Sequence, residues 1–173
     1  MGGHDTHDTH DTGDTGDAAL GRVREVLESA GLTDRIVVFD DEVPTAVAAA
    51  DKLGCEVGAI ANSLVFTADG EPVLVLASGA HRVDVARAGA LFGVDRLRRA
   101  DAATVQAATG QVVGGCAPVG HPAPLRTVVD ADLAGYGELW AGAGIKPAMC
   151  RLTFDELVAL TGGTVAQVAA DQG

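Results

Sequence analysis

The chain has 173 residues, a length that suits one domain able to bury a core without disulfides or structural metals. Its formal net charge is −12, with 24 acidic residues against 12 lysines and arginines, which argues against a broad phosphate-binding face and against DNA as a partner. No apolar run is long enough to span a membrane and the 3 cysteines lack Cys-x-x-Cys spacing, so we expect a reduced, cytoplasmic protein with no membrane partner.

Residues 1–17 repeat His, Asp, Thr and Gly, and they include no apolar residue after Met1. Such a segment cannot offset the entropy of ordering, so we expect a disordered tail followed by a single domain over residues 18–173. His4, His7 and His10 recur at every third position, a spacing that could bind a metal loosely. A solvated tail explains this composition better, and we assign no metal site.

Apolar periodicity and turn signals predict the remaining elements. Helices are expected at 18–30, 46–53, 83–92, 102–108 and 154–161, and strands at 36–39, 60–67, 72–77, 96–99, 125–130, 138–141 and 149–152. The 36–39 strand is expected to be buried, the Asp-Gly pair at 69–70 predicts a hairpin, and Thr153 with Glu156 predicts a capping box. Because helices and strands do not alternate regularly, we predict an α/β or α+β domain with a mixed sheet.

The stretch over residues 110–120 contains four glycines and a proline, so it can form neither a good helix nor a regular strand interior. The neighbouring valine pairs at 112–113 and 128–129 are apolar enough to be buried. A glycine-rich turn between buried strands lets backbone N–H groups face a ligand that approaches closely. The alternative is a bulged turn that needs glycine only for its dihedral angles.

A second stretch, residues 48–66, combines a helix of small residues that ends at Gly54 with a strand that carries polar residues at 62 and 63. The sequence also contains a Gly-Gly-x-x-Pro-x-Gly motif, formed by Gly114, Gly115, Pro118 and Gly120. Together the two stretches resemble the YbaK/EbsC family of aminoacyl-tRNA deacylases, which is related to the editing domain inserted in bacterial prolyl-tRNA synthetases. The resemblance covers roughly residues 18–170. It implies a curved, barrel-like mixed sheet with helices packed around it.

The resemblance also implies a function, the trans-editing hydrolysis of mischarged aminoacyl-tRNA. A pocket and backbone oxyanion donors would act without a protein nucleophile, metal or organic cofactor. The implied catalytic residues are Asn62, Gly114 and Gly115, and the implied substrate-binding residues are Ser63, Cys116, Ala117, Pro118 and Gly120. A side chain at Gly115 is expected to demand an unfavourable dihedral angle or to project into the pocket. The expected partner is the acceptor end of the mischarged tRNA, with an aminoacyl-tRNA synthetase as a further candidate.

One departure from the family pattern leaves an alternative open. Many members carry a lysine where this chain has Asn62, whose amide donates hydrogen bonds but supplies no positive charge. The alternative is a non-catalytic module that binds aminoacyl-tRNA or a small ligand and has lost hydrolysis. A thiol mechanism through Cys116, with His121 nearby, is disfavoured because lone cysteines are more often packing residues. A basic cluster at residues 96–99 could serve a tRNA acceptor end.

Overall fold

The computed structural model describes residues 17–43 and 45–170. Helices α1 to α5 comprise 17–29, Ala46–Leu53, Val85–Leu91, Ala102–Thr109 and Phe154–Thr161. Strands β1 to β8 comprise Ile36–Val38, Ile60–Ala68, Glu71–Ser78, Arg98–Arg99, Thr127–Asp130, Leu139–Gly142, Ala148–Leu152 and Thr164–Ala166. The predicted tail, with its three histidines, lies outside the described residues except for Asp17, the first residue of α1.

The strands of the described part of the chain form one mixed sheet. Its order is β1-β7-β6-β2-β3-β5-β8, and β4 pairs with β2 outside that path. The β2–β6, β3–β5 and β5–β8 pairs are parallel, whereas β1–β7, β6–β7, β2–β3 and β2–β4 are antiparallel. The predicted mixed architecture is confirmed. The sheet is open, because β1 and β8 stand at opposite ends of the order and do not pair.

β2 and β3 form the hairpin that the Asp-Gly pair predicts. Ala68 pairs with Glu71, which leaves a turn of two residues. Those residues, Asp69 and Gly70, have φ angles of 50° and 86°. Positive φ at both central positions is the type I′ geometry that matches the twist of the two strands. The turn therefore sets the register along the whole length of β2.

β3 is buried on both faces of the sheet. Val73, Leu74, Val75 and Leu76 are all 0% exposed. Leu74 and Leu76 pack in a cluster with residues of α1 and α5, whereas Val73 and Val75 pack in another with residues of α3. Since successive strand residues point to opposite faces, helices must cover β3 from both sides. The scarcity of aromatic residues is consistent with a core of this aliphatic kind.

Two predictions of burial are wrong. Val37 and Val38 of β1 are 38% and 53% exposed, because β1 is an edge strand whose outer side meets solvent. Val112 and Val113 are 43% and 56% exposed, because they belong to a turn and not to a buried strand. The short strand β8 was not expected from the sequence; it pairs with β5 after α5 ends.

The predicted capping box of α5 is confirmed. The Glu156 N–H donates to Thr153 Oγ1, and the Glu156 carboxylate accepts a hydrogen bond from the Thr153 N–H. Arg35 adds two hydrogen bonds to the same carboxylate, at 2.7 and 3.0 Å, and thereby lowers the pKa of Glu156 to about 2. This ion pair joins α5 to the segment before β1. Within the described residues, no helix combines the length and apolar character that crossing a membrane requires.

Candidate active site

A cavity of about 440 Å³ opens where β2 lacks a strand partner along part of one edge. On that edge β6 pairs with residues 60–61 and β4 pairs with residues 66–67. No described strand pairs there with residues 62–65. The cavity is lined by β2, α2, β4 and the glycine-rich loop, the name used here for residues 110–120. The gap between β6 and β4 therefore positions the candidate site.

The backbone polar groups of Ser63 and Val65 are directed toward this gap. The Gly79 N–H donates to the Ile60 carbonyl oxygen at 2.7 Å, which places Ile60 in a hydrogen-bonded pair with the residue opposite it. In an antiparallel ladder such pairs alternate, so every second residue of β2 after Ile60 bonds to β3. The residues between them direct their N–H and C=O groups to the other edge. The β2 wall thus offers main-chain donors and acceptors to a ligand.

Two polar side chains that the family resemblance implicates also line the β2 side of the cavity. The Ser63 hydroxyl oxygen is buried and has no hydrogen-bond partner among the described residues. Asn62 is half-buried, and its amide likewise bonds to no described residue. Because consecutive strand residues point to opposite faces, the cavity must reach around this edge of the sheet to meet both. Neither side chain would have to give up a hydrogen bond to a described residue in order to bind a ligand.

The glycine-rich loop contains a tight turn over residues 112–115. The Gly115 N–H donates to the Val112 carbonyl oxygen at 3.0 Å. Gly114, the third residue of the turn, has φ 89°, the positive value that a type II turn requires at this position. Gly114 is exposed and lines the cavity. The glycine is therefore needed for the turn that brings the loop main chain to the cavity.

Buried Gln111 holds the loop from the inside. Its side chain accepts a hydrogen bond from the Ala117 N–H at 2.7 Å and donates one to the Val119 carbonyl oxygen at 3.1 Å. The Gln111 N–H in turn donates to Thr109 Oγ1 at 3.0 Å. Neither Gln111 nor Thr109 was expected from the sequence as part of the site. A lone amide side chain among glycines and small apolar residues is the signal that marks Gln111, because a buried amide must find partners.

The predicted site residues fall into two groups. Those that line the cavity are Asn62, Ser63, Gly114 and Cys116. Those that belong to the loop but do not line the cavity are Gly115, Ala117, Pro118 and Gly120. The second group is buried or half-buried, and it supports the first.

Gly115 is required by close packing. A Cβ atom at this position would lie 2.8 Å from the Ile145 carbonyl carbon and 2.9 Å from the Lys146 nitrogen. Its φ is not in the left-handed region, and the added atom would meet the main chain of residues 145–146. This corrects the expectation that a side chain would strain the dihedral angles or enter the pocket.

Three loop residues that line the cavity, Val113, Gly114 and Cys116, have N–H groups without an acceptor among the described residues, and the family resemblance implicates the last two. The Gly115 and Ala117 N–H groups are already hydrogen-bonded within the loop. No described residue accepts a hydrogen bond from the N–H of Gly114 or Cys116. The turn and the Gln111 side chain hold these two donors in place. Fixed donors of this kind stabilise an oxygen that gains negative charge, because they need no reorganisation during the reaction.

The thiol of Cys116 is not arranged as a nucleophile. Its Sγ donates to the Val112 carbonyl oxygen at 3.4 Å and lies 4.0 Å from Thr109 Oγ1. His121 does not activate it, because the His121 Nε2 atom lies 2.9 Å from the Ala117 carbonyl oxygen. Burial raises the pKa of the Cys116 thiol and lowers the pKa of His121. Since the thiolate is the reactive form, both the geometry and the protonation state disfavour a thiol mechanism.

His81 joins two aspartates at the junction of β3 and β5. Its Nδ1 lies 2.8 Å from Asp130 Oδ2 and its Nε2 lies 3.1 Å from Asp132 Oδ2. Asp130 is fully buried and also accepts a hydrogen bond from the Ser78 N–H at 3.0 Å. The carboxylates meet opposite nitrogens of one ring, whose lone pairs diverge, so the three side chains do not converge on one metal position. We interpret the group as a structural connection.

The family described as the aminoacyl-tRNA editing domain matches residues 40–160, and the chain belongs to this family. The chain is 24% identical over 129 residues to EbsC of Enterococcus faecalis (strain ATCC 700802 / V583), across 74% of this chain and 79% of that protein. The name of that relative describes a candidate Cys-tRNA(Pro)/Cys-tRNA(Cys) deacylase. The YbaK/EbsC resemblance is thereby confirmed.

Two further comparisons connect the chain to prolyl-tRNA synthetases. It is 35% identical over 91 residues to a proline–tRNA ligase of Nitratidesulfovibrio vulgaris (strain DP4), across 53% of this chain. The match spans only 16% of the ligase. A crystal structure described as a candidate trans-editing enzyme for prolyl-tRNA synthetase matches with a TM-score of 0.82 and 40% identity, across 88% of this chain and 98% of that one.

Proposed function

We propose that this chain hydrolyses the ester bond of mischarged aminoacyl-tRNA in trans. The observation that carries the proposal is the set of unpaired polar groups around one cavity. The Gly114 and Cys116 N–H groups belong to one wall, and the side chains of Asn62 and Ser63 belong to the other. An aminoacyl ester is already activated, so its hydrolysis needs orientation, donors for the developing oxyanion and a positioned water.

The reaction follows from the placement of these groups. The ester carbonyl oxygen accepts hydrogen bonds from the Gly114 and Cys116 N–H groups while water adds to the carbonyl carbon. Asn62 donates to a ribose oxygen and Ser63 orients the amino acid. The ribose hydroxyl beside the ester positions the water. Cleavage of the C–O bond releases the amino acid, and the leaving ribose oxygen takes a proton from the water.

The floor of the cavity favours a small amino acid. Val43, Ile60 and Met149 line it, and they are apolar and almost fully buried. The space of about 440 Å³ must hold both the amino acid and part of the terminal nucleoside, which limits the volume left for the amino-acid side chain. The names of the relatives make Cys-tRNA(Pro) the first substrate to test. They also support a prolyl-tRNA synthetase as the enzyme whose errors this chain corrects.

A deacylation assay tests the proposal. The purified chain is incubated with tRNAs charged with small non-cognate amino acids, beginning with Cys-tRNA(Pro), and the remaining ester is measured over time. We expect hydrolysis above the uncatalysed rate for at least one of them. Asn62→Ala is expected to lower kcat/KM about tenfold, since it removes one positioning hydrogen bond. Wild-type protein that binds the charged tRNA without hydrolysing it would contradict the proposal and favour the non-catalytic alternative.

A further inference from the structure

Arg99 is the one lysine or arginine among the described residues that line the cavity. It belongs to β4 and pairs with Phe66 of β2. Directly opposed strand residues project to the same face, and so does every second residue along a strand, so Arg99 shares the face of Asn62. Phe66 and Asn62 are separated by about 13 Å along the strand. Arg99 therefore lies at the end of the cavity remote from Asn62.

The guanidinium of Arg99 is free to bind an anion. The residue is exposed, and no described residue forms a hydrogen bond or ion pair with its side chain. Two other arginines meet carboxylates: Arg35 lies 2.7 Å from Glu156, and Arg151 lies 3.5 Å from Glu138. Acidic residues outnumber basic ones by 24 to 12 in this chain. Its position at the cavity distinguishes Arg99 from the other exposed arginines of the described residues and points to an anionic ligand.

We propose that Arg99 binds the phosphodiester that joins the last two nucleotides of the substrate, an inference that rests on the proposed deacylase function. With the ester between Gly114 and Asn62, the terminal nucleoside extends along β2 toward Arg99. A guanidinium presents a planar fork of N–H donors that matches two phosphate oxygens. One such contact at the 3′ end is compatible with a net charge of −12, whereas a broad basic face is not.

Arg98 provides a matched control. It precedes Arg99 in β4, is exposed as well, and pairs with Thr67 of β2. It projects to the opposite face and does not line the cavity. Replacing either arginine changes the net charge equally, so the long-range attraction of tRNA falls equally. Only a direct contact distinguishes the two variants.

Binding of uncharged tRNA by the full chain, measured from low to high salt, tests the contact. Arg99→Ala is expected to weaken binding about tenfold, as the loss of a charged hydrogen bond predicts. The slope of log affinity against log salt should fall by about 0.7. Arg98→Ala should change the affinity less than about twofold. Arg99→Lys should keep the slope but recover only part of the affinity, because an ammonium lacks the fork.

Equal losses of affinity in Arg98→Ala and Arg99→Ala would overturn the proposal, since they would reflect net charge alone. In the hydrolysis assay, Arg99→Ala is expected to lower kcat/KM for aminoacyl-tRNA about tenfold, mainly through KM. This difference should vanish with an aminoacyl-adenosine that carries no phosphate, and an equal loss on that ester would also overturn the proposal. Wild-type protein without hydrolysis would contradict the proposed function, and the comparison of tRNA binding would still decide the role of Arg99.

Discussion

The two walls of the cavity differ in how far their polar groups are satisfied. In the glycine-rich loop, the Gly115 and Ala117 N–H groups are both hydrogen-bonded within the loop itself. On the β2 wall, neither the buried Ser63 hydroxyl nor the Asn62 amide forms a hydrogen bond with a described residue. These bonds hold the loop main chain in place, and the Gly114 and Cys116 N–H groups are among those left without a described acceptor. The β2 wall remains unsatisfied until a ligand arrives.

Because of this difference, the two walls should contribute differently to the stability of the fold and to hydrolysis. Donors fixed before the substrate binds can stabilise developing charge without reorganisation. A buried hydroxyl without a partner costs about 1 to 3 kcal/mol of stability. The β2 wall therefore lowers the free energy of unfolding of the protein when no ligand is bound. Substitutions that displace the main chain of the loop should therefore damage both the fold and hydrolysis. Substitutions on the β2 wall should damage hydrolysis alone.

The largest effect is expected for Gly115→Val. The new side chain would press against the main chain of residues 145–146, and overpacking of this kind costs about 1 to 3 kcal/mol or more of the free energy of unfolding. The displaced Gly114 and Cys116 donors should lower the rate of hydrolysis about a hundredfold. Urea denaturation and the deacylation assay measure the two effects. Gly137→Val is the control, because no atom of the described residues lies within 4 Å of a Cβ at that position. A Gly115→Val protein as stable and active as this control would remove the distinction between the walls.

Much of the fold could be predicted from the sequence, because its signals are local. The two turn residues at 69–70 specify a hairpin by their tolerance of positive φ, and the Thr153–Glu156 pair specifies a helix start. The exposure of Val37 and Val38 could not be predicted in this way. An apolar strand has the same local sequence pattern in the middle of a sheet and at its edge. β1 is an edge strand because it pairs with β7 on one side and with no other described strand.

Some residues of the candidate site could likewise be predicted from local sequence, and others could not. The positions of Asn62 and Gly114 at a cavity follow from the motifs that carry the family resemblance, while their catalytic roles remain predictions. Gln111 carries a signal as a lone amide in its segment, but the motif does not specify its partners, which are backbone atoms six and eight residues away. Arg99 could not be placed at the cavity, because its position depends on β4 and β6 pairing with separate parts of β2.

An intermediate effect is expected for Ser63→Ala, and Ser78→Ala is its matched control. Both serines have buried hydroxyls in neighbouring strands, but the Ser78 hydroxyl donates to the Gly58 carbonyl oxygen at 2.8 Å whereas that of Ser63 has no partner among the described residues. Ser63→Ala should leave the free energy of unfolding unchanged or raise it by up to about 1 kcal/mol, while kcat/KM falls about tenfold. Ser78→Ala should lower the free energy of unfolding by about 1 to 3 kcal/mol. Thermal denaturation and deacylation report these outcomes, and a Ser63→Ala protein that lost stability as Ser78→Ala does would contradict an unsatisfied β2 wall.

The smallest effect on hydrolysis is expected for Cys116→Ser. This substitution changes only the side chain, whereas the proposed role of Cys116 belongs to its main-chain N–H. Burial raises the pKa of the Cys116 thiol, so the thiol stays protonated at neutral pH, and Sγ already donates to the Val112 carbonyl oxygen. Serine keeps the main chain and a donor group, so kcat/KM should stay within about threefold of the wild-type value. The pH profiles of the two proteins should coincide between about pH 6 and pH 9, because no step requires the thiolate. A folded serine variant that loses activity about a thousandfold, beside a wild-type rate that rises with pH as the thiol ionises, would assign the chemistry to the thiol and not to the main chain of the loop.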